Sequence, residues 1–201
     1  YREQWLKFTQ RISLKHSFDE LLSSITEGFK DAIGAKGAAI WLRDKDNGEY
    51  HCVRALNTPV VTVKPDRDLL AFLMNVKWIL DVRHNKCEKV VFSNKIFIEK
   101  TRASLIIPLL EIEKLSGFII LEDGLAEVEY NFEDYDFLRT LSRQAVSAIL
   151  NAKLSDELTE AKEMEAMGRL SSFILHDLKN ATSMLSLIVQ NAEEHIEDPD
   201  F

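Results

Sequence analysis

The chain has 201 residues, of which 46% are hydrophobic, and its 25 basic and 33 acidic residues give a formal net charge of −8. This length suits one domain of ordinary size with an additional segment. The acidic balance and the lack of a basic stripe in the sequence argue against nucleic acid and anionic lipid as partners.

The composition also bears on the compartment. No apolar run in the sequence approaches the ~20 residues that span a membrane, so we expect no membrane contact by this segment. The two cysteines, Cys52 and Cys87, suit a reducing compartment and do not form a disulfide framework. The opening residues YREQW carry no signal peptide, and we expect them to lie within the cytoplasmic part of a longer protein.

The first part of the chain alternates helical and strand patterns. We predict helices at 2–14, 17–34 and 66–77 and strands at 37–43, about 49–56, 59–64 and 78–82. Ser17 and Glu20 fit a capping box that opens the second helix, and Gly34 can end it. The sequence Asp46-Asn47-Gly48 predicts a hairpin turn, because Asn and Gly tolerate positive φ. In the third helix the side chains expected to face the core are Leu69, Leu70, Leu73 and Val76.

The clearest strand pair comes later in the chain. Residues 83–102 carry alternating charge and allow no secure prediction. The runs 103–110 and 116–122 predict two strands, and Pro108 inside the first of them indicates an edge or bulge position. Together these elements predict an α+β fold, in which an antiparallel sheet carries helices on one face.

A very long helix is predicted after the strand pair. Asn131 can cap it, Asp134 lies in its first turn, and no proline follows until Pro199. Unbroken to about Ile196, it would be about 95 Å long. One small domain cannot bury such a helix, so we expect it to pair with a second copy as a parallel coiled coil. Its apolar stripe comprises Leu138, Leu141, Ala145, Ala148 and Ala152, and continues in another phase with Leu154, Leu158 and Ala161.

Near its end, this helix presents a histidine opposite an apolar band. The band comprises Met167, Leu170, Ile174, Leu178, Ala181, Leu185, Ile188 and Ala192, and these positions fall within roughly 80° of one another. His176 lies roughly 160° from the centre of the band and is expected to face solvent or another protein. Asp177 is adjacent to it, and Asn180 lies one turn further on nearly the same face. Gly168, near the start of the band, is either a place where the helix flexes or a tolerated small residue that costs about 1 kcal/mol.

An exposed imidazole beside a carboxylate can act as a nucleophile. Such a ring is mostly neutral at pH 7, and the carboxylate can orient it and stabilise the cation that forms on attack. The alternative is a solvent-facing histidine that has no chemical role on an amphipathic helix.

The string FILHDLKN, residues 173–180, resembles the H-box of sensor histidine kinases. More narrowly, GRLSSFILHDLKN followed by LSLIVQNAEEHIEDPDF is similar to the PrsK-like sensor kinases of the PEP-CTERM/exosortase system. The resemblance implies that His176 is the phosphoacceptor, that Asp177 assists phosphotransfer, and that Asn180 positions water in the phosphatase reaction. Ala181 departs from the pattern, because many H-boxes have proline there and the helix bend that it causes.

The resemblance also implies partners that this segment does not itself contain. The sequence has no glycine-rich phosphate loop, so we expect no cofactor in this fragment, and ATP and Mg²⁺ would belong to a catalytic domain that follows in the same protein. A response regulator would receive the phosphoryl group. The resembled kinases also imply a membrane anchor upstream in the parent protein.

The strand pair IIPLL…GFIIL followed by a long helix resembles the GAF domain over about residues 15–150, with the PAS domain as the main structural competitor. We therefore divide the chain into an N-terminal helix at 1–14, a GAF domain at 15–130, a signalling coiled coil at 131–165 and the first helix of a histidine-kinase dimerisation and phosphoacceptor domain at 166–201. The first helix of that last domain would be truncated, without its partner helix.

A GAF domain implies a ligand pocket between the sheet and its covering loops, but the ligand is unknown. Asn94, Lys95 and Phe97 match the opening of the cyclic-nucleotide GAF signature, whose closing Asp-Glu pair is missing. Cys87 lacks the adjacent histidine of bilin attachment. His51 and Cys52, and likewise His84 and Cys87, supply too few ligands for a metal, so we predict none.

These observations favour the sensory and phosphoacceptor fragment of a two-component histidine kinase, in which the GAF domain regulates autophosphorylation of His176. The alternative is a non-enzymatic GAF module that binds a ligand or dimerises and controls another output domain. A GAF segment of a cyclic-nucleotide enzyme is disfavoured by the incomplete signature and the H-box.

Overall fold

The computed structural model describes residues 1–13, 17–83, 88–123 and 129–195, which fall into two compact units, Tyr1–Lys153 and Leu154–Phe201. Within the described residues the helices are α1 (Arg2–Ser13), α2 (Phe18–Ile33), α3 (Arg67–Val76), α4 (Glu88–Ser93), α5 (Lys95–Thr101) and α6 (Phe132–His195). The strands are β1 (Gly37–Arg43), β2 (Tyr50–Leu56), β3 (Leu80–Asp81), β4 (Leu105–Glu111) and β5 (Lys114–Glu122). The predicted α+β class with an antiparallel sheet is confirmed.

The described strands form one antiparallel sheet in the order β2-β1-β5-β4-β3. Strand β3 pairs with β4 only through Leu80 and Asp81, opposite Ile106 and Leu105. Pro108 therefore lies beyond the reach of β3, where the missing N–H of proline breaks no ladder bond. A register shift lies just after Pro108 in the chain, between Leu109 and Leu110. The surroundings of this proline are therefore both edge-like and bulge-like, as the sequence predicts.

The core lies on both faces of the sheet. Side chains of β1 alternate, with Ala38, Ile40 and Leu42 in one hydrophobic cluster and Ala39 and Trp41 in the other. The first cluster includes α1, α2 and α6, and the second includes α3 and α5. The expectation that the helices cover one face is therefore wrong. The physical reason is that the central strands are apolar at successive positions, so both faces must be covered.

The predicted helix ends are confirmed by their hydrogen bonds. The Ser17 hydroxyl accepts from the amide of Glu20 at 3.2 Å, and Gly34 adopts a left-handed conformation with φ 66° at the end of α2. At the start of α6, the Asn131 side chain accepts from the amide of Asp134 at 3.1 Å, while the Asp134 carboxylate accepts from the amide of Asn131 at 2.8 Å. These reciprocal bonds satisfy helix-end amides that the helix itself cannot pair.

Three local predictions are wrong, and one stretch that was left without a prediction contains helices. Residues 59–64 form no strand in the described chain, because Asn57 turns the backbone at φ 54° and Val61 and Val63 pack on the second cluster instead. The strand expected at 78–82 is only two residues long. Val76 is 53% exposed, since α3 ends there. The unassigned part before β4 contains the short helices α4 and α5.

Helix α6 passes through two environments. In the first unit Leu138, Leu141 and Ala145 are buried against the sheet, and Ala148 and Ala152 are partly buried. In the second unit every described side chain from Leu154 to Asn191 is exposed, and the helix continues through Gly168. No helix within the described residues is both long enough and apolar enough to cross a membrane.

The first turns of α6 are attached to β3 by a buried carboxylate. Asp81 is 8% exposed and accepts hydrogen bonds from the Arg83 guanidinium at 2.9 Å and the Tyr135 hydroxyl at 2.7 Å. Burial alone would raise the pKa of Asp81, but the hydrogen bonds from Arg83 and Tyr135 outweigh it, so the pKa lies below the ordinary value. The charged form of Asp81 is therefore the form that stabilises this attachment.

Two glycine substitutions are predicted to have opposite effects. A Cβ at Gly117 would lie 2.2 Å from the backbone oxygen of Trp41, so Gly117→Ala must separate β5 from β1. We expect it to lower the free energy of unfolding by about 1–3 kcal/mol, measured by urea titration with tryptophan fluorescence. A Cβ at Gly168 would meet no described atom within 4 Å, so the control Gly168→Ala should raise helix stability by up to about 1 kcal/mol in thermal circular dichroism. Destabilisation by both substitutions would contradict the contrast between close packing at Gly117 and open space at Gly168.

The attachment of α6 should weaken in acid. Because the pKa of Asp81 is depressed by folding, its stabilisation is fully present above the unfolded pKa near about 4 and is lost as pH falls through the folded value. We therefore expect the free energy of unfolding to fall with pH below about 4, and to fall less steeply in Asp81→Asn. Equal slopes for the two proteins in acid urea titrations would contradict the prediction.

Candidate functional site

The structure brings the three predicted site residues together on α6. His176 Nδ1 lies 3.5 Å from Asp177 Oδ1 and 3.3 Å from Asn180 Nδ2. Asn180 reaches the ring because it lies four residues further along the helix, where side chains meet. Both contacts are made to Nδ1, so neither neighbour blocks Nε2. The side chain of His176 is 70% exposed.

The apolar band opposite His176 is also exposed in the single chain. Its largest members are between 55% and 71% exposed, namely Met167, Leu170, Ile174, Leu178, Leu185 and Ile188. A continuous apolar surface of this kind marks an interaction site. The helix thus presents an exposed imidazole ring on one side and an exposed apolar stripe on the other, which is the arrangement that the sequence periodicity predicts.

The nucleotide-signature residues in the first unit have structural roles. Asn94 is 2% exposed, and its side-chain oxygen accepts from the amide of Asp66 at 2.7 Å while its amide group donates to the Val90 carbonyl at 3.1 Å. It thereby joins α5 to the start of α3. Phe97 is buried in the second cluster, and Lys95 forms a surface ion pair with Glu99 at 3.8 Å.

Aromatic rings occupy the sheet face on which a GAF ligand pocket is expected. Trp41 stacks on Phe118 with ring centroids 5.7 Å apart and meets Phe97 edge-on at 5.3 Å. Tyr50 lies 5.8 Å from Phe118 and donates its hydroxyl to the Leu115 carbonyl at 2.8 Å. Trp41 is 2% exposed, so it is a core residue.

A groove lies beside this cluster, at α4 and α5. Its volume is about 730 Å³, and it is lined by Val82, Glu88, Lys89, Val91, Phe92, Lys95, Ile98 and Glu99. Phe92 is 81% exposed. The position of this groove was not predictable, because the alternating charges of residues 83–102 do not reveal α4 and α5.

The described residues hold no group of three or more His, Cys, Asp or Glu side chains placed to bind a metal. His51 lies 3.9 Å from Glu49 at the surface, and burial raises the pKa of the half-buried Cys52 thiol. His84 and Cys87 lie outside the described residues, so the hypotheses about them stay untested.

Comparison with known proteins identifies the first unit. The GAF domain family model matches residues 17–151, more than half of the chain. The fold is similar to the GAF domain of an Acinetobacter phosphoenolpyruvate-protein phosphotransferase, with a TM-score of 0.59, 14% identity, and coverage of 76% of this chain and 94% of that one. It is also similar to residues 122 to 287 of a methyl-accepting chemotaxis protein, with a TM-score of 0.58, 21% identity and coverage of 73% and 97%.

A third similar structure comes from a kinase. The GAF domain of the Escherichia coli potassium sensor histidine kinase KdpD matches with a TM-score of 0.54, 16% identity, and coverage of 79% of this chain and 99% of that one. At these identities the similarity establishes the fold alone. No curated protein sequence matches the chain. The family match, the five-stranded sheet of the described residues and the long closing helix agree, and the chain belongs to the GAF domain family.

Proposed function

We propose that this chain is the sensory and phosphoacceptor segment of a two-component sensor histidine kinase, and that its GAF domain regulates phosphorylation of His176. One observation carries the proposal: His176, Asp177 and Asn180 meet on the exposed side of a helix whose opposite side is an exposed apolar band. The H-box resemblance supports this assignment, and it points more narrowly to the PrsK-like kinases. The proposal places the segment in the cytoplasm, where ATP and response regulators are found.

The geometry suits attack by Nε2 of His176. With its proton on Nδ1 and directed to Asp177, the neutral ring has a lone pair on Nε2 directed away from both neighbours. The Asn180 amide group is itself a donor and makes no hydrogen bond to Nδ1 in this tautomer. A bond forms between Nε2 and the γ-phosphorus of ATP, the bond from that phosphorus to the bridging oxygen breaks, and ADP leaves with the electron pair. The ring becomes a cation whose Nδ1–H can donate to Asp177, which lies 3.5 Å away.

The phosphatase reaction gives Asn180 its role. Its amide lies 3.3 Å from the ring, close enough to hold a water molecule beside the acyl phosphate of a response regulator that docks at His176. In that reaction the regulator's acyl phosphate is hydrolysed, and a positioned water is the nucleophile. Replacement of Asn180 would therefore affect phosphatase activity more than autophosphorylation.

ATP and Mg²⁺ belong to a separate catalytic domain of the parent kinase in this proposal. The exposed band on α6 would pair with a second copy of the chain, because an isolated helix leaves these apolar side chains in water, where they add no packing stability. The pair would present two His176 rings outward to the catalytic domains. Occupancy or strain in the GAF domain would then shift the population of helix arrangements and so change access to His176.

Replacement of the phosphoacceptor should abolish labelling. When the parent kinase's catalytic domain and radiolabelled ATP are added to the chain, we expect acid-labile label on the wild type. His176→Ala should lower the label to background, because no other ring holds this position. His195→Ala, on the same helix, is the matched control and should keep the label.

Two results would count against the assignment. Label on His176→Ala at the wild-type level would show that another residue accepts the phosphoryl group. The competing hypothesis, a GAF module that controls a different output domain, predicts no label on either protein.

The proposed dimer makes a separate prediction. Leu185 is 61% exposed and lies in the apolar band, so Leu185→Asp places a charge in the expected seam. We expect it to raise the dimer dissociation constant about tenfold or more in sedimentation equilibrium. Gln190→Asp adds the same charge roughly 140° away around the helix and should change the constant little. Equal weakening by both variants would refute this assignment of the helix faces.

A further inference from the structure

The first turns of α6 contact the short strand β3 and the residues around it through one face of the helix. Phe132, Tyr135 and Arg139 are spaced three and four residues apart, so they share this face. The Tyr135 hydroxyl donates to Asp81 at 2.7 Å. The Arg139 guanidinium lies 4.4 Å from the ring centroid of Trp78, and the Phe132 ring lies 6.4 Å from the same ring.

The centre of this contact is a network that we call the β3–α6 latch, made of Asp81, Arg83, Asp123, Tyr130 and Tyr135. Oδ1 of Asp81 accepts from the amide of Arg83 at 2.9 Å and from its Nε at 3.1 Å, while Oδ2 accepts from its Nη2 at 2.9 Å. The same guanidinium lies 3.4 Å from Asp123 and 4.7 Å from the ring centroid of Tyr130. The latch therefore joins the edge strand, the end of β5 and the start of α6.

The strand that the latch holds pairs with the sheet over a short length. Only Leu80 and Asp81 pair with β4, whereas β4 and β5 pair along seven residues. Val82, the next residue, donates its amide to the Ser104 carbonyl at 2.9 Å and lines the groove of about 730 Å³ at α4 and α5. A molecule that enters this groove would therefore press on the segment that carries Asp81 and Arg83, which has few backbone bonds to the sheet.

We propose that the β3–α6 latch is a two-state regulatory element that transmits displacement at the α4–α5 groove to the start of α6. This inference rests on the proposed function, because the output that it regulates is phosphorylation of His176. In the closed state Tyr135 donates to Asp81. In the open state the Tyr135 hydroxyl leaves Asp81, which keeps its hydrogen bonds from Arg83, and the first turns of α6 loosen. A hydrogen bond weakens steeply once its geometry is lost, so the contact is either made or broken.

The test compares Tyr130 and Tyr135, of which Tyr135 donates a hydrogen bond to Asp81. Tyr135→Phe removes the hydroxyl that donates to Asp81 and keeps the ring. Tyr130→Phe is the matched control, since its ring lies beside Arg83 and its hydroxyl makes no hydrogen bond with any described residue. In amide hydrogen exchange on the full chain, we expect Tyr135→Phe to speed exchange about fivefold or more at both β3 and the first turns of α6. Tyr130→Phe should leave both unchanged.

Acceleration at only one of the two segments, or at neither, would overturn the latch, because the proposal requires them to open together. Labelling of His176 in the presence of the catalytic domain and ATP tests whether the latch regulates phosphorylation. We expect Tyr135→Phe to change the initial rate about fivefold or more, and Tyr130→Phe to match the wild type. Equal rates in all three proteins would overturn regulation by the latch. Label absent from the wild type would instead refute the proposed function, and the exchange result would still decide whether the latch exists.

Discussion

Helix α6 is held to the sheet by a stripe of small and branched apolar side chains, and the organisation of the chain depends on this contact. Leu138 and Ala145 are fully buried and Leu141 nearly so. Alanine at the third position fits a buried site where a larger residue would overpack the core. The same face continues into Ile149, which is 3% exposed. Burial of this stripe sets the rotation of α6, and therefore which of its other side chains meet β3.

That rotation explains why polar groups accompany the apolar contact. With the stripe on the sheet, Phe132, Tyr135 and Arg139 are turned toward β3. Burial beside Asp81 raises the pKa of Tyr135, so its hydroxyl keeps its proton and remains a donor. Apolar packing thus fixes the position of the helix, while the hydrogen bond to Asp81 makes the position specific.

Local sequence signals predicted local structure well in this chain. The Ser17 and Asn131 caps and the left-handed Gly34 depend on residues within one or two turns, and the structure confirms each of them. The wrong predictions concern contacts between residues far apart in the sequence. Val61 and Val63 alternate as a strand would, yet they pair with no strand of the described residues. The helices on the second face likewise depend on the successive apolar side chains in the middle of β1 and β5.

The candidate-site residues also differ in whether their contacts are local or distant in the sequence. His176, Asp177 and Asn180 meet through helix periodicity alone, so their proximity could be predicted from spacing. The bond between Tyr135 and Asp81 joins residues 54 positions apart, and no pattern in either segment points to the other. Asn94 shows a third case, because a residue that matches part of a ligand signature serves here to join α5 to α3.

The second unit is a helix without tertiary contacts of its own among its described residues. Every side chain from Leu154 to Asn191 is exposed, and helices in water draw most of their stability from packing rather than from intrinsic propensity. In the proposed dimer, order in this part of the chain would arise together with association. Its helical content would then depend on the concentration of the protein, so abundance would enter the same equilibrium as the proposed signal.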